Sequence, residues 1–473
     1  MTEMWERFSY YGMRALLVLF MVAAIEDGGL GLTDQTATAI YGLYTAAVFL
    51  GSLPGGWIAD RLIGAQAAVW VGGIIIMSGH FILAIPSNSI FFLGLIVIVL
   101  GTGLLKPNIT AIVGGLYELD DPRRDSGFTL FYMGINLGAA LGPLVCGWLA
   151  FQNWHWGFAA AGVGMLFGLV QFRLTRHHLG NAGRHLDPSA QPSDQFKRRA
   201  WTGIGACIAM IGCLLVAGLA GWLEYDPVWL AQAATYVIVA VAIFYFVYLF
   251  FLSGLTKKER GRMIVIFVLI SAATVFWVGS EQAGSSLNLF AQRYTIREFG
   301  DFIIPASWFQ SANPAFIILL GPLYSMFWVA LARRHLDPSS PLKLGIGLVI
   351  LGLAFVVMIG AASLVAAGQQ VFPSWLIFTY LLLTMGELAL SPVGMSALTR
   401  LAPRRLVGQM MGVWFLSLSL GSILAGLFAG EFRPDAVEEM PGLYLQLVLM
   451  MVGAGVLLML AARPLKRLAG GIR

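Results

Sequence analysis

Long apolar runs, separated by short polar segments, make up almost the whole chain. A helix needs about 20 consecutive apolar residues to cross the hydrocarbon core of a bilayer, and the sequence contains about fourteen such runs. The predicted spans cover residues 3–26, 33–60, 65–86, 89–117, 124–150, 154–174, 200–223, 228–253, 262–294, 304–332, 342–367, 373–401, 406–430 and 442–462. This pattern predicts an all-α integral membrane protein.

The composition supports the same class of protein. Of the 473 residues, 58% are hydrophobic and only 11% are charged, and the mean hydropathy is +0.80. No soluble core requires so much apolar sequence. The three cysteines lie in apolar runs, without a CxxC spacing or a cluster of histidines. We therefore expect packing roles for them, and neither disulfides nor a metal site.

The net charge of +5 and the pI near 9.1 would also fit a protein that binds nucleic acid. The placement of the basic residues argues against that class. When the connecting segments are assigned alternately to two sides of the membrane, one side collects 23 of the 29 Lys and Arg residues. The positive-inside rule makes that side cytoplasmic and places both termini there. We predict a multi-pass protein of a cytoplasmic membrane with no nucleic-acid partner.

A hydrophilic stretch and a shorter basic loop divide the predicted spans into groups of six, two and six. We predict an N-terminal six-helix bundle in residues 1–176, a cytoplasmic linker in 177–199, two peripheral helices in 200–253 and a C-terminal six-helix bundle in 254–473. The peripheral pair contains little buried charge, so we expect it to carry no chemistry of its own.

The first predicted span contains four charged side chains: Glu3, Glu6, Arg7 and Arg14. A charge at the bilayer centre costs roughly 3 kcal/mol on insertion scales, so four in one helix require a reason. At about 100° per residue, the four charges and Tyr10 fall within an arc of about 100°. This stripe is expected to face a polar cavity rather than lipid.

Three further ionisable side chains lie clearly within the predicted spans, namely Lys106, Glu281 and Glu387. Together with the first span they give four acids and three bases, and buried charges require near-neutral pairing. One acid is left over, and burial favours the neutral form of a carboxyl group, which is typical of a proton carrier. Lys106 precedes a kinking proline and needs a partner, for which Glu6 is the obvious candidate. Structural salt bridges within the bundle are the alternative.

Two amides, several aromatic side chains and one loop are further candidates. Asn136 and Asn313 either form interhelical hydrogen bonds or contact a ligand. The aromatic candidates are either core and interface residues or the lining of a site: Tyr10, Tyr11, Tyr41, Trp277 and Trp414. Asp60 and Arg61 follow paired glycines after the second span, where we favour a gating role over an ordinary basic loop.

Several segments together resemble the signatures of one known family. The sequence ExxERFxYYG over residues 3–12 is similar to the first-helix signature of the proton-dependent oligopeptide transporters, which belong to the major facilitator superfamily. Five further segments resemble motifs of that family. Residues 103–108 resemble its helix 4 motif, 131–138 its helix 5 motif, 281–282 its helix 7 motif, 310–314 its helix 8 motif and 387–394 its helix 10 motif. The resemblance implies the major facilitator fold in its bacterial form. Two six-helix bundles, with two extra helices between them, would lie in the inner membrane.

The resemblance implies that a set of five side chains couples protons to movement: Glu3, Glu6, Arg7, Lys106 and Glu281. Within this set, Lys106 would be the partner of Glu6. Glu281 would be a protonation site that pairs with Arg14 to close the extracellular side. The proton would be the coupling ion, and no cofactor is expected.

The resemblance also implies symport of protons with di- or tripeptides. Arg14 and Lys106 would take the peptide carboxylate, and Glu387 the amino terminus. The other implied contacts are Tyr10, Tyr11, Tyr41, Asn136, Trp277, Glu281, Asn313, Ser391 and Trp414. Phe49 stands where family members often carry a tyrosine, so a hydrogen bond to the peptide is expected to be missing. Gly42 stands where animal relatives have a proton-linked histidine, which shifts the coupling onto the carboxylates.

Three alternatives remain: another cargo such as nitrate or an organic anion on the same scaffold, a membrane enzyme, and a receptor or structural bundle. Relatives with other cargoes commonly lack parts of the first-helix acid pair, which is intact in this chain. An enzyme would need a metal cluster, a nucleophile constellation or a cofactor motif, and a receptor has little use for seven buried charges. We predict a monomeric transporter, not an enzyme, with peptide, H⁺ and membrane lipid as its partners.

Overall fold

A computed structural model describes residues 1–117, 123–184, 193–336 and 338–470. Most of these residues are helical, since in a bilayer each segment must satisfy its own backbone hydrogen bonds. The helices are α1 (Thr2–Val22), α2 (Asp34–Ile58), α3 (Ala65–Leu83), α4 (Asn88–Gly115), α5 (Arg124–Gln152), α6 (Trp154–Thr175), α7 (Asp194–Leu219), α8 (Pro227–Phe251), α9 (Lys257–Ser280), α10 (Ser286–Tyr294), α11 (Ala312–Arg333), α12 (Ser340–Ala366), α13 (Pro373–Leu401), α14 (Val407–Ala429) and α15 (Met440–Leu468).

Within the described residues, 13 helical stretches are long and apolar enough to cross a membrane. One of them, Lys257–Tyr294, contains both α9 and α10. Helix α1, with 21 residues, is a further helix of similar length and carries the charged stripe. Each predicted span therefore corresponds to one helix or one broken helix, and the predicted all-α membrane fold is confirmed.

Two of the predicted spans are interrupted. A 3-10 turn, Glu281–Gly284, separates α9 from α10, so Glu281 lies where the helix breaks. A second 3-10 turn, Ala306–Ser311, precedes α11 and places Asn313 in the first turn of that helix. Between these elements, β1 (Glu298–Phe299) and β2 (Phe302–Ile303) form an antiparallel pair. The apolar run alone predicted continuous helix over residues 262–294, because periodicity does not reveal a short change of helical pitch.

Residue contacts divide the chain into two compact units. Unit 1 contains Met1–Leu16 and Ala47–Leu230, and unit 2 contains Leu17–Ala46 and Ala231–Arg473. Helices α1 and α2 therefore each contribute one part to unit 1 and another part to unit 2. The predicted division into two bundles, a linker and a peripheral pair follows the order of the spans and remains a prediction.

In unit 1 the helices approach one another at glycines. A Cβ atom on Gly72 would lie 2.7 Å from the carbonyl oxygen of Gly101, so α3 and α4 are in backbone contact. A Cβ atom on Gly142 of α5 would overlap the carbonyl of Phe8 and lie 2.8 Å from the amide nitrogen of Gly12. Such close approach strengthens van der Waals packing, which holds helices together in a membrane.

Unit 2 repeats part of this arrangement. A Cβ atom on Gly347 would lie 2.8 Å from the carbonyl oxygen of Gly386, which brings α12 against α13. Gly72 and Gly347 are each the eighth residue of their helix. Pro107 and Pro392 each follow the second glycine of their pair by six positions. The α3–α4 and α12–α13 hairpins therefore share one register.

We expect Gly142→Ala to destabilise unit 1, because the added Cβ atom would force α1 away from α5. Overpacking of this kind costs about 1–3 kcal/mol and should lower the midpoint of thermal unfolding in detergent by a few degrees. Gly203→Ala in α7 is the matched control, since a Cβ atom there meets no described atom within 4 Å. Equal midpoints for the two variants would contradict the close approach of α1 and α5.

Candidate functional site

Three charged side chains form a cluster at the start of α1. Arg7 Nη2 donates to Glu6 Oε1 at 2.7 Å, and Arg7 Nε bonds the second oxygen of the same carboxylate. Arg7 Nε also lies 3.3 Å from Glu3 Oε1, one helical turn away. Glu6 is fully buried, and Glu3 and Arg7 are at most 5% exposed as whole residues. The guanidinium group therefore compensates two acids that would otherwise be costly to bury.

The two acids of this cluster differ in how their oxygens are satisfied. Both oxygens of Glu6 are engaged by Arg7. Glu3 Oε2 is buried and has no hydrogen-bond partner within the described ranges, although Lys106 acts on Glu3 electrostatically. A proton on this oxygen would displace no hydrogen bond between described residues. Glu3 is therefore the acid of the cluster with room for a proton.

Lys106 lies in α4 beside Pro107 and is half-buried. Its Nζ atom is 4.3 Å from the centroid of the Phe49 ring on α2, which is a cation–π contact. Phe49, where family members often carry a tyrosine, lacks the hydroxyl group but still places an aromatic face beside the ammonium group of Lys106. Arg7 contacts Glu6 directly, and the pairing of Glu6 with Lys106 remains a prediction.

Two aromatic rings lie between two cations along α1. Arg7 Cζ is 5.1 Å from the centroid of the Tyr10 ring, and Arg14 Cζ is 5.5 Å from that of Tyr11. The two rings meet edge to face at 5.2 Å. Arg14 is buried. Each guanidinium group thus has a π face beside it, which fixes its position without neutralising its charge.

Glu281 lies at the break between α9 and α10 in unit 2 and is buried. The hydroxyl of Tyr41, a fully buried residue of α2, donates to Glu281 Oε2 at 3.0 Å. A Cβ atom on Gly284 would overlap this hydroxyl, so the turn needs glycine there. Gln282 Nε2 donates to the carbonyl of Ala425 on α14 at 3.2 Å. The break therefore holds a carboxylate in a hydrogen-bonded turn that contacts α2 and α14.

The two amides singled out from the sequence make different contacts. Asn313 Nδ2 donates to Glu387 Oε2 at 3.1 Å and to Thr384 Oγ1 at 3.0 Å. Because the amide is neutral, it orients the Glu387 carboxylate without cancelling its charge. Asn136 Nδ2 instead donates to the carbonyl of Tyr132 in its own helix at 2.9 Å. The structure therefore brings Asn313 and Glu387 together in unit 2 and places Asn136 in unit 1.

The remaining candidates of unit 2 differ in burial. Trp414 is 2% exposed and packs on α13, where a Cβ atom on Gly394 would lie 2.5 Å from its ring. Trp277 is half-buried, and its Nε1 atom has no hydrogen-bond partner in the described part of the chain. Ser391 is half-buried on α13. Trp414 is therefore packed against α13, whereas the Trp277 ring carries an N–H donor without a described partner.

The pattern of spans did not reveal an ion pair between α2 and α10. Arg293 Nη2 donates to Asp34 Oδ1 at 2.7 Å, and Nη1 binds the second carboxylate oxygen. Asp34 is the first residue of α2, and Arg293 lies in the last turn of α10. Both positions belong to the side predicted to be extracellular. A search for opposite charges at helix ends on one predicted side would have found the pair.

Asp60 and Arg61, the predicted gating residues, lie in a π-helical turn at the end of α2. Both side chains are exposed. Neither forms an ion pair or a side-chain hydrogen bond with another residue of the described ranges. Their gating role therefore stays a prediction.

These clusters offer buried acids, oriented cations and hydrogen-bond donors, a set that can hold protons and the charged ends of a small ligand. Among the described residues, no group of three or more His, Cys, Asp or Glu side chains is placed to hold a metal ion. Comparison with known proteins identifies the family. The sequence pattern of the POT family matches residues 66–437. The chain belongs to the POT family.

Members of the POT family resemble this chain over nearly its full length. The peptide transporter YePEPT of Yersinia enterocolitica is 43% identical, over 99% of this chain and 93% of its own length. A di-/tripeptide transporter of Lactococcus lactis subsp. cremoris is 36% identical, over 100% of this chain and 95% of its own length. These similarities confirm the resemblance read from the motifs.

Solved structures of POT transporters have the same fold. A mutant peptide transporter POT in complex with alafosfalin aligns with a TM-score of 0.90 at 38% identity, covering 99% of this chain and 94% of that one. A POT family transporter in complex with 5-aminolevulinic acid aligns with a TM-score of 0.88 at 33% identity, covering 98% and 95%. The chain is therefore a multi-pass membrane protein of a transporter family.

In this POT chain we expect Phe49 to position Lys106. Phe49→Leu should lose a cation–π attraction of about 0.5–2 kcal/mol, whereas Phe49→Tyr keeps an aromatic face. Because leucine also changes the packing, the attraction is measured in a double-mutant cycle with Lys106→Met, using unfolding in detergent. Phe49→Leu should destabilise the wild type more than it destabilises Lys106→Met. Equal losses would show that the ring and the ammonium group do not interact.

Proposed function

We propose that the chain is a proton-coupled symporter that imports di- and tripeptides across the cytoplasmic membrane by alternating access. The observation that carries the proposal is a set of three buried acids in a POT family chain, namely Glu3, Glu6 and Glu281, each at most 5% exposed. A carboxylate that stayed charged at this depth in every state would be costly. Side chains that gain a proton in one state of the cycle avoid that cost.

The peptide cargo is supported by what related proteins are named for. The Yersinia relative is named a peptide transporter, and the Lactococcus relative a di-/tripeptide transporter. A POT structure has been solved with alafosfalin. The intact acids of α1 favour this cargo over nitrate, since relatives with other cargoes commonly lack part of that pair.

We assign proton uptake first to Glu281. The Tyr41 hydroxyl donates to the charged carboxylate and can accept from the protonated one, so the contact survives in both states but changes direction. Charge-assisted hydrogen bonds are roughly twice as strong as neutral ones. Protonation would therefore weaken the hold of α2 on the turn between α9 and α10. An inward membrane potential drives the proton with about 2.3 kcal/mol per 100 mV.

The α1 cluster with Lys106 is the second proton-coupling group. Its members are Glu3, Glu6, Arg7 and Lys106. The unpartnered oxygen of Glu3 offers a place for a proton, and the shared guanidinium of Arg7 would then bind Glu6 alone. Protonation of one acid would thus redistribute the ion pairs of α1 without leaving a bare charge.

The charged ends of a peptide call for a cation at the carboxylate and an acid at the amino terminus. We assign the peptide carboxylate to Arg14 and Lys106, whose charges are oriented by aromatic faces, and the amino terminus to Glu387, which is oriented by Asn313. The other proposed contacts are Tyr10, Tyr11, Tyr41, Asn136, Trp277, Glu281, Ser391 and Trp414. A peptide shifts the transport cycle only if the two end states bind it differently.

Asp34 and Arg293 form a further element of the proposed cycle, an outer latch. The bidentate pair must separate whenever the start of α2 moves away from the end of α10. Asp60 and Arg61 are retained as gating residues at the opposite end of α2. We further propose an inner-membrane location with both termini cytoplasmic, a monomer in lipid, the proton as coupling ion, and no catalysed reaction.

Proteoliposome uptake tests the proposed function. With labelled dialanine and an imposed inward proton gradient, the wild type should accumulate peptide, and unlabelled di- and tripeptides should compete whereas nitrate and free amino acids should not. Glu281→Gln should abolish accumulation against the gradient, because its side chain cannot change charge. A cooperative unfolding transition in detergent would show that the variant is folded.

Glu298→Gln is the matched control, since Glu298 is exposed on β1, and it should transport as the wild type does. Three results would refute the proposal: accumulation that ignores the proton gradient, indifference to dipeptide competitors, or undiminished concentrative uptake by Glu281→Gln. Competition by nitrate alone would identify an anion transporter on the same scaffold.

The outer latch is tested by labelling a cysteine at Thr38, which is fully buried beside Gly430. The background lacks the three native cysteines. Asp34→Asn and Arg293→Gln should each raise labelling by an impermeant maleimide several-fold, because a lost pair of about 1 kcal/mol shifts the population of states by that factor. The exchange Asp34→Arg with Arg293→Asp should restore protection. Labelling that is the same in all four proteins would rule out a latch.

A further inference from the structure

A cavity of about 270 Å³ lies in unit 2, between the start of α12 and the second half of α13. Its lining residues are Pro338, Ser340, Lys343, Pro392, Val393, Ser396 and Arg400. Two of these described side chains are cationic, two carry hydroxyl groups and none is acidic. A smaller cavity shares Ser340 and Arg400 and adds Lys466 of α15. We call the larger cavity the anion cleft.

The backbone at the start of α12 adds hydrogen-bond donors to the anion cleft. Ser339 is the N-cap residue of this helix, but its side chain accepts no hydrogen bond from the first turn. By contrast, Ser193 caps α7 and Thr256 caps α9 with their side-chain oxygens. First-turn N–H groups without a side-chain cap, together with the helix dipole, favour an anion at this position.

Both cations of the anion cleft are held in place. Lys343 Nζ lies 4.5 Å from the centroid of the Trp328 ring on α11. Arg400 Nε donates to the carbonyl of Ser396 at 3.3 Å. An arginine has five N–H groups, so this bond leaves the planar end of the side chain available to a tetrahedral oxyanion. Cations that are already positioned lose little side-chain entropy when they bind.

The chain itself shows what the equivalent place in unit 1 holds. There the start of α3 is covered by the segment after α6. The amide nitrogen of Gln66 donates to the carbonyl of Gly183 at 2.9 Å, and its side-chain amide donates to the carbonyl of Ala182 at 2.8 Å. A Cβ atom on Gly183 would lie 2.9 Å from Ala65, so the segment packs closely on α3. Carbonyl oxygens of the chain thus sit at the start of this helix.

The shared glycine register allows the two places to be compared residue by residue. It aligns Ser340 with Ala65, Lys343 with Ala68, and Arg400 with Gly115. In unit 1 these positions are small, and Gly115 lies 3.7 Å from Ala182 when a Cβ atom is added. In unit 2, Lys343 and Arg400 stand at the positions of the small residues Ala68 and Gly115. A partial negative charge suits the first site, and a full negative charge suits the second.

We propose that the anion cleft binds the phosphate group of an anionic membrane phospholipid. The cleft lies at helix ends on the side predicted to be cytoplasmic, where basic pockets between helices meet anionic headgroups. Pro392, Val393 and Trp328 place apolar surface beside the cations, as a headgroup with attached chains requires. A zwitterionic lipid has the same phosphate but no net charge, so it binds less tightly. This inference goes beyond peptide transport and does not depend on it.

The purified full-length protein in detergent provides the test. It is titrated with phosphatidylglycerol, phosphatidylcholine or inorganic phosphate, while native mass spectrometry counts bound lipid and the unfolding midpoint is recorded. Phosphatidylglycerol should bind the wild type more tightly than phosphatidylcholine and raise its midpoint. The double variant Lys343→Gln with Arg400→Gln should bind phosphatidylglycerol at least about tenfold more weakly, because two charged hydrogen-bonding groups are lost.

Two control variants separate the cleft from general charge. Lys257→Gln with Lys258→Gln removes the same charge at exposed positions of α9 and should bind phosphatidylglycerol as the wild type does. Lys343→Arg with Arg400→Lys retains both charges and should keep most of the binding. If the double glutamine variant does not fold, Arg400→Gln alone replaces it, because this side chain is exposed.

Each outcome decides the proposal. Tighter binding of phosphatidylglycerol that is lost only in the cleft variants supports it. Equal binding by the wild type and the double glutamine variant overturns it, as does an equal loss in the Lys257 and Lys258 control. If inorganic phosphate protects the wild type and phosphatidylglycerol does not, the ligand is a soluble anion and the lipid assignment is wrong. None of these results depends on whether the protein transports peptides.

Discussion

The cost of charge inside a bilayer is the constraint on which the rest of this structure depends. Every buried carboxylate needs a cation or a hydrogen-bond donor beside it. Whether that partner is charged or neutral decides how readily the carboxylate can change its charge. Arg7 forms ion pairs with the two acids of α1, which compensates their charge. Tyr41 donates a hydrogen bond to Glu281, and Asn313 donates one to Glu387. Both of these donors are neutral groups. A neutral donor orients a carboxylate yet lets its charge change with a proton or be matched by a ligand.

Packing of the backbone at glycines is the second constraint, because it fixes which side chains reach the same level of each hairpin. The contact of Gly72 with Gly101 recurs at the same register in α12 and α13. Five positions after Gly101 the chain places Lys106, and five positions after Gly386 it places Ser391. The two hairpins thus have one scaffold and different charges. The two hairpins therefore differ in chemistry at positions such as Lys106 and Ser391, where their side chains differ.

Much of this could be predicted from the sequence because it is local. Span lengths and the charged stripe of α1 follow from apolar periodicity, and both are present in the structure. The break at Glu281 could not be predicted, since it depends on Tyr41 and Gln282 contacting other helices. The pairing of Asp34 with Arg293 could not be predicted from apolar periodicity for the same reason. The two residues are 259 positions apart, and only tertiary packing brings them together.

The two hairpins also show that a shared packing scaffold does not determine the chemistry at the start of each helix. At the start of α3, small residues admit a chain segment whose carbonyls accept the helix's hydrogen bonds. At the start of α12, Lys343 occupies the position of Ala68, and the same geometry becomes a basic cleft. A helix start must be satisfied in either case. Whether the chain or a ligand satisfies it is decided by two or three side chains, which a duplicated fold can change without disturbing its packing.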